Sequence, residues 1–283
     1  MKIIKNTILQ GKHQKPILAD VFYSANSQPK SIVLFCHGYK GFKDWGAWNL
    51  MAKVFADAGF FFVKFNFSHN GGTVNQPIDF PDLEAFGNNN YTKELDDLES
   101  VIDWVFSKND FQREIDLENV SLIGHSRAGG IVTIKSEEDQ RVSKVISLAG
   151  VCDFGKRTAT SGDLEQWKKD GVKYVLNGRT KQQMPHFYQF YEDFIENEER
   201  LTIKRAVERL ETPYLIIHGN NDTSVSVEEA KKLHSWCSNS QLEIVEKANH
   251  VFNTSHPWKK EGLPKELKEA IQLCIDFLNN SPK

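Results

Sequence analysis

The sequence predicts an α/β fold: a mostly parallel central sheet with helices on both faces. Three observations predict it. Short apolar runs rich in β-branched and aromatic residues recur along the chain, among them SIVLFCHG, FFFVKFNF, KVISLAG and PYLIIHG. They lack polar alternation, as strands buried on both faces do. Segments of helical periodicity separate most of them, and that alternation builds parallel pairing through helical crossovers.

The elements follow in order. IIKNTILQ (3–10) and ILADVFYS (17–24) read as strands joined by the polar turn GKHQKP. No helix separates them, so they form an antiparallel edge hairpin. SIVLFCHG is the next strand. Asp44 is placed to cap a helix reaching Ala58, with Trp45, Trp48, Met51, Ala52 and Phe55 at helical spacing. After Gly59 comes the strand FFFVKFNF, then a Gly- and Asn-rich loop from His69 to Asn90. Thr92 is placed to cap KELDDLESVIDWVFSK, where Leu95, Leu98, Ile102 and Val105 form one apolar stripe. The strand VSLIG, a helix from Arg127 and the strand KVISLAG follow. PYLIIHG, VSVEEAKKLHSWC, LEIVE and PKELKEAIQLCIDFLNN then repeat the strand–helix alternation.

The alternation breaks between Gly150 and Glu211. That stretch reads as helical, with Phe187, Phe190, Tyr191 and Phe194 on one face. Both of its ends return to the same sheet. We therefore expect one domain over 1–283 with a helical cap inserted at 151–211.

Composition narrows the function. The chain has 283 residues, 40% hydrophobic and 26% charged, the balance of a soluble globular domain. A net charge of −3 offers no basic footprint for nucleic acid or an anionic membrane. No run approaches the roughly 20 apolar residues of a membrane span. The N-terminal MKIIKNTILQGKHQK has no apolar core of a signal peptide, so a cytoplasmic location is expected. Cys36, Cys152, Cys237 and Cys274 are widely spread and form no C-x-x-C pair, which suits free thiols better than a disulfide or metal framework. G-x-G-x-x-G after a strand, G-x-x-x-x-G-K-[ST] and H-E-x-x-H are all absent, and no cofactor or metal is expected.

In open parallel sheets, ligands bind beyond the carboxyl ends of the strands. On that rim lie His37-Gly38-Tyr39, Ser68-His69-Asn70, His125-Ser126-Arg127, Cys152-Asp153, Asn221-Asp222 and Asn249-His250. A serine, an aspartate and a histidine thus share one rim, in the order Ser, Asp, His. SLIGHSRAGG surrounds Ser126 with small residues: Gly124 two positions before, Ala128 two after, then Gly129 and Gly130. Such a pattern alone is a weak signal, since glycine turns arise by chance. Its position between an apolar strand and a helix is what gives it weight.

These features resemble the α/β-hydrolase superfamily from about Ile17 to the C-terminus. The G-H-S-R-A-G-G elbow, the H-G-Y loop, the H-G-N-N-D segment and the A-N-H-V-F segment look like its catalytic loops. Within it, the chain is most similar to capped esterases of the feruloyl (cinnamoyl) and dienelactone-hydrolase-like kinds. Dienelactone hydrolases carry a cysteine nucleophile where this chain has Ser126. Ala128 replaces the usual last glycine of the elbow.

The resemblance implies Ser126 as nucleophile, His250 as base and Asp222 as the group that orients the base. His256 is the alternative base, in the stiff context before Pro257. Asp153, after the preceding strand, is the alternative acid. The oxyanion hole needs backbone N–H groups, expected from Tyr39 and from Arg127 at a helix N-terminus. His37, His69, His125 and His218 read as structural. Phe187, Tyr188, Tyr191 and Arg179 are candidates for the substrate pocket, against the plainer reading that they hold the cap down or face solvent. The expected reaction is hydrolysis of a small carboxylic ester through an acyl-enzyme. A peptidase or amidase, an acyltransferase, and a non-catalytic binding protein on the same fold remain as alternatives.

Overall fold

The computed structural model describes residues 1–108, 110–157 and 161–280. The chain opens with β1 (Lys2–Gln10), β2 (Pro16–Tyr23), β3 (Lys30–Cys36), α1 (Trp48–Asp57) and β4 (Phe61–Asn66). Next come α2 (Leu83–Gly87), α3 (Tyr91–Phe106), β5 (Ile115–His125), α4 (Arg127–Glu138) and β6 (Val142–Leu148). The inserted stretch holds α5 (Leu164–Asp170), β7 (Val172–Leu176), β8 (Gln183–Phe187), α6 (Gln189–Glu196), α7 (Glu198–Leu201) and α8 (Ile203–Arg209). The chain closes with β9 (Tyr214–Gly219), α9 (Val227–Trp236), β10 (Ser240–Val245) and α10 (Lys265–Asn279).

Eight strands form one sheet in the order β1-β2-β4-β3-β5-β6-β9-β10. β1 and β2 pair antiparallel as an edge hairpin, and β2 runs antiparallel to β4. Every other pairing within this sheet is parallel. Side chains alternate across the sheet and feed two cores. Ile32, Leu34 and Cys36 of β3 face α3 and α4, whose Leu95, Leu98, Ile131 and Val132 complete that layer. Val33 and Phe35 face the other way, toward Trp48, Met51 and Phe55 of α1 and Leu267 and Ile271 of α10. Burying such a side chain is worth about 1.5–3 kcal/mol. The two layers therefore hold the sheet rigid beneath its rim.

Two helix starts differ from expectation. α1 begins at Trp48 behind Ala47, with no side-chain cap. Asp44 is engaged elsewhere: Lys43 and Lys64 donate to its carboxylate at 2.6 and 2.7 Å. A full opposite charge competes better for a carboxylate than a helix N–H does. α3 is capped by Asn90, whose side chain accepts from the Lys93 N–H at 2.8 Å, and Thr92 lies inside the first turn.

The segment expected to be wholly helical, 151–211, contains an antiparallel ribbon, β7 paired with β8 from Val172↔Phe187 to Leu176↔Gln183. Residues 158–160 of this segment lie outside the described residues. Pro185 gives the physical reason. It has no N–H for a helix and drives Met184 into an extended conformation. Phe187 therefore ends a strand, while Phe190 and Phe194 are the buried residues of α6.

Candidate active site

β5 delivers its last residue, His125, to the rim, and the chain reverses at Ser126 into α4. Ser126 adopts φ 59° and ψ −119°, a conformation that L-residues rarely take. The turn is held by three backbone bonds. The Ser126 N–H donates to the Leu148 carbonyl at 2.9 Å, and the Ser126 carbonyl accepts from Gly129 at 2.9 Å and Val151 at 3.2 Å. Close approach explains the glycines. A Cβ on Gly129 would lie 2.7 Å from the Gly150 Cα, and one on Gly38 would lie 2.8 Å from the Ser126 Cβ.

Three side chains expected at this rim meet there. The Ser126 Oγ lies 2.9 Å from Nε2 of His250, and Nδ1 of His250 lies 2.7 Å from Oδ2 of Asp222. The loops carrying acid and base are sewn together. Asn221 N–H donates to the Ala248 carbonyl at 3.0 Å, and Lys247 N–H donates to the Asn220 side-chain oxygen at 2.7 Å. The Asp222 carboxylate is fully buried and accepts from the Ser224 and Val225 N–H groups at 2.8 and 2.9 Å. Burial disfavours its charge. Hydrogen bonds from His218, His250 and the Val225 N–H outweigh that and hold it well below the usual carboxylate range. Asp222 is thus an anion beside the imidazole.

The alternatives are occupied elsewhere. His256 accepts from the Gly46 N–H at 2.9 Å and packs edge-on to Phe42. Asp153 accepts from the Lys156 N–H at 3.3 Å, and Lys156 Nζ lies 3.5 Å from it.

Three further histidines, His37, His125 and His218, brace the site. Nδ1 of His37 lies 2.9 Å from the Gly38 carbonyl, and the Phe67 N–H donates to its Nε2 at 3.4 Å. Burial, with the Arg127 charge, pushes it down to about 4. His125 Nε2 donates to the His250 carbonyl at 2.8 Å, and burial with the nearby His250 pushes it down to about 3. Both are neutral near pH 7. Nε2 of His218 lies 3.3 Å from the Asp222 carboxylate and 2.9 Å from the Val225 carbonyl.

As the first residue of α4, Arg127 has an N–H left over from the helix ladder, beside Ser126. Gly38 abuts Ser126 and leads Tyr39 onto the same wall. A cavity of about 210 Å³ opens at this point, lined by Gly38, Tyr39, Trp45, Trp48, Ser126 and His250 among others.

The four pocket candidates from the cap do not line this cavity. Phe187 packs on Gly87, where an added Cβ would meet its ring at 2.9 Å. Tyr188 packs on Trp167, ring centroids 5.6 Å apart. Tyr191 lines a separate groove of about 650 Å³ with Phe194, Ile203 and Trp236. Arg179 forms an ion pair with Asp79. Phe187 and Arg179 are taken by partners outside the cap, Gly87 and Asp79, which the helical pattern alone could not assign. Trp45 and Trp48, read from the sequence only as helix-face residues, join Tyr39 as aromatics of the cavity at the serine.

Sequence reasoning also missed the Arg127 side chain. It is buried, its guanidinium 4.4 Å from the Tyr39 ring centroid and its Nη1 3.4 Å from Glu94 Oε1. No local pattern pairs residues 33 positions apart.

Comparisons with known proteins bear on the family and the fold. The model of the Alpha/beta hydrolase family matches residues 33–260. No curated protein matches the sequence. Among solved structures, Est1E from Butyrivibrio proteoclasticus with bound ferulic acid is 15% identical, covers 96% of this chain and 97% of its own, and has a TM-score of 0.73. The esterase domain of a Rhodothermus marinus protein is 17% identical over 98% of both chains, TM-score 0.65. A dienelactone hydrolase from Anabaena variabilis is 16% identical over 98% of this chain and 97% of its own, TM-score 0.63.

Proposed function

Because the chain belongs to the Alpha/beta hydrolase family, we propose that this hydrolase is a serine esterase acting through an acyl-enzyme on Ser126. One observation carries the reading: the continuous chain from Ser126 Oγ to His250 Nε2, and from His250 Nδ1 to the buried Asp222 carboxylate.

In this reading His250 takes the Ser126 proton as Oγ bonds to the ester carbonyl carbon. The carbonyl oxygen becomes an oxyanion facing the N–H groups of Tyr39 and Arg127. Collapse expels the alkoxide, which takes the proton from His250, and the acyl group stays on Ser126. Water, giving its proton to His250, attacks the acyl carbon; a second collapse returns the proton to Ser126 and releases the acid. Asp222 stabilises the imidazolium at both stages. No step calls for a metal or organic cofactor.

An ester is favoured over an amide because an alkoxide leaves with less help from the acid. The Trp45–Trp48 wall and the likeness to Est1E with bound ferulic acid support small esters, aryl esters included. Four buried free cysteines support a cytoplasmic site of action. Among the described residues no helix is long and apolar enough to cross a membrane.

The test is labelling with a fluorophosphonate probe beside a rate series. Wild type should be labelled and Ser126→Ala should not. Labelling of another serine in Ser126→Ala would move the nucleophile. Rates on aryl esters of increasing acyl length, feruloyl esters and aminoacyl anilides separate esterase from peptidase and size the pocket. Faster anilide than ester cleavage would overturn the ester assignment.

A further inference from the structure

The two residues whose N–H groups face the oxyanion in the reading above are also joined through their side chains. The Arg127 guanidinium sits over the Tyr39 ring, 4.4 Å from its centroid. Tyr91 and Phe190 enclose the same guanidinium, each 5.3 Å away. Nη1 lies 3.4 Å from Glu94 Oε1, which accepts from Asn89 at 2.7 Å. On the far side, the Tyr39 hydroxyl hydrogen-bonds with Nε2 of His186 at 3.0 Å. His186 belongs to β8 of the cap, and its carbonyl accepts from the Trp167 indole at 2.8 Å. A continuous line of contacts runs from α3, through Glu94, Arg127 and Tyr39, into the cap.

We infer that the Arg127 and Tyr39 side chains form a clasp that fixes the spacing of their own backbone N–H groups, and that His186 ties this spacing to the seating of the cap. The inference rests on the serine-esterase reading. Its physical basis is that oxyanion donors stabilise a transition state only when they are held before the charge develops. Tyr39 stands in a loop, and a loop N–H has no helix ladder to fix it. The cation–ring contact supplies that fixation. A guanidinium shielded from water is attracted to the negative face of an aromatic ring more strongly than one in solvent. Glu94 keeps the buried cation paired, so the contact does not carry an uncompensated charge. Arg127 and Tyr39 thus have side-chain roles distinct from those of their backbones, and Glu94 and His186 are positioning residues.

The experiment compares Arg127→Met, Arg127→Lys and Tyr39→Phe with wild type. It measures kcat and KM on an aryl acetate and the inhibition constant of an aryl boronic acid. The boronic acid adds to the serine Oγ as a tetrahedral adduct with an oxygen in the oxyanion position, so it reports the donors directly. Arg127→Met should lower kcat about tenfold or more, with KM moving less than about threefold, and weaken the boronic acid by a similar factor. Arg127→Lys should recover most of that loss, since it restores a cation over the ring. Tyr39→Phe keeps the ring, loses only the bond to His186, and should fall between. A folded Arg127→Met with kcat and boronic acid inhibition within about twofold of wild type overturns the inference, as does a loss confined to KM. If Arg127→Met does not fold, unchanged kcat and inhibition in both Arg127→Lys and Tyr39→Phe overturn it equally. Fluorophosphonate labelling of wild type separates the two readings. If Ser126 is not labelled, the esterase reading fails. If it is labelled and the variants behave as wild type, only the clasp fails.

Discussion

A Cβ placed on Gly124 would lie 2.1 Å from the carbonyl oxygen of Ala128. The two flanks of the elbow are therefore unequal. Gly124 touches backbone that cannot move without unwinding α4, whereas the Ala128 methyl group is accommodated and fully buried. Gly124→Ala should displace Ser126, with hydrolase activity and fluorophosphonate labelling falling together at least a hundredfold, on the order of an oxyanion-hole loss. Ala128→Gly should keep activity and cost about 1 kcal/mol of stability in a urea titration, from helix propensity. Full activity in Gly124→Ala would mean that the turn has slack that this contact denies.

The Asp222–His250 contact at 2.7 Å predicts the cost of neutralising the acid. Asp222→Asn keeps the shape but lets the amide favour the wrong imidazole tautomer. The expected loss is on the order of 10⁴ in kcat. Asp153→Asn should leave kcat near wild type, because Asp153 is engaged by Lys156 and does not meet His250, whose Nδ1 is taken by Asp222. Reversal of the two results in steady-state kinetics would transfer the role to Asp153.

The sheet and the Ser126–His250–Asp222 alignment were legible because they rest on short-range signals. Apolar runs of strand length mark the sheet, and the rim rule then collects the residues that follow each strand. What was not legible depends on partners distant in sequence. Asp44 stands where a helix cap should be, yet it folds against Lys64, 20 residues away. The cap aromatics are spaced like a pocket wall, yet Phe187 is spent on Gly87, 100 residues earlier. Arg127 shows both cases at once. Its backbone role follows from position beside Ser126, and its side-chain contacts with Tyr39 and Glu94 follow only from the assembled fold.

A buried square of four charges predicts a stability effect. Lys43 Nζ lies 2.9 Å from Asp20 and 2.6 Å from Asp44, and Lys64 Nζ lies 2.8 Å from Asp20 and 2.7 Å from Asp44. All but Asp44 are essentially sealed from solvent. Burial opposes the Asp44 charge, and the two lysines outweigh it, holding the carboxyl well below its usual range. Lys64→Met leaves two carboxylates facing one cation and should cost about 3–5 kcal/mol in denaturant unfolding. Adding Asp20→Leu to it restores charge balance and should recover part of the loss. A cost under about 1 kcal/mol for Lys64→Met would show that water or rearrangement compensates the buried charge. Because Lys43 and Asp44 lie in the loop that carries Tyr39, kcat should fall in the single variant as well.

Stability should also fall steeply in mild acid. Burial pushes His37 and His69 down to about 4 and both His125 and His186 down to about 3, with neighbouring positive charge adding to each. In the unfolded chain these imidazoles titrate near 6.5. Below that pH the unfolded chain binds protons that the folded chain refuses. The stability they contribute is complete above pH 6.5 and is lost as pH falls toward the folded values. Asp97 acts the other way. Burial pushes its carboxyl up to about 7, so between roughly pH 4 and 7 the folded chain holds one proton more. The histidines outnumber Asp97, so the net effect is a stability that falls as pH falls below about 6.5. Urea unfolding at intervals from pH 7 to 4.5 measures this slope directly. Asp97→Asn removes the opposing proton and should steepen the slope while raising stability at neutral pH. A flat profile in wild type would mean that the buried histidines accept protons without unfolding. An unchanged slope in Asp97→Asn would mean that Asp97 is ionised in the folded protein.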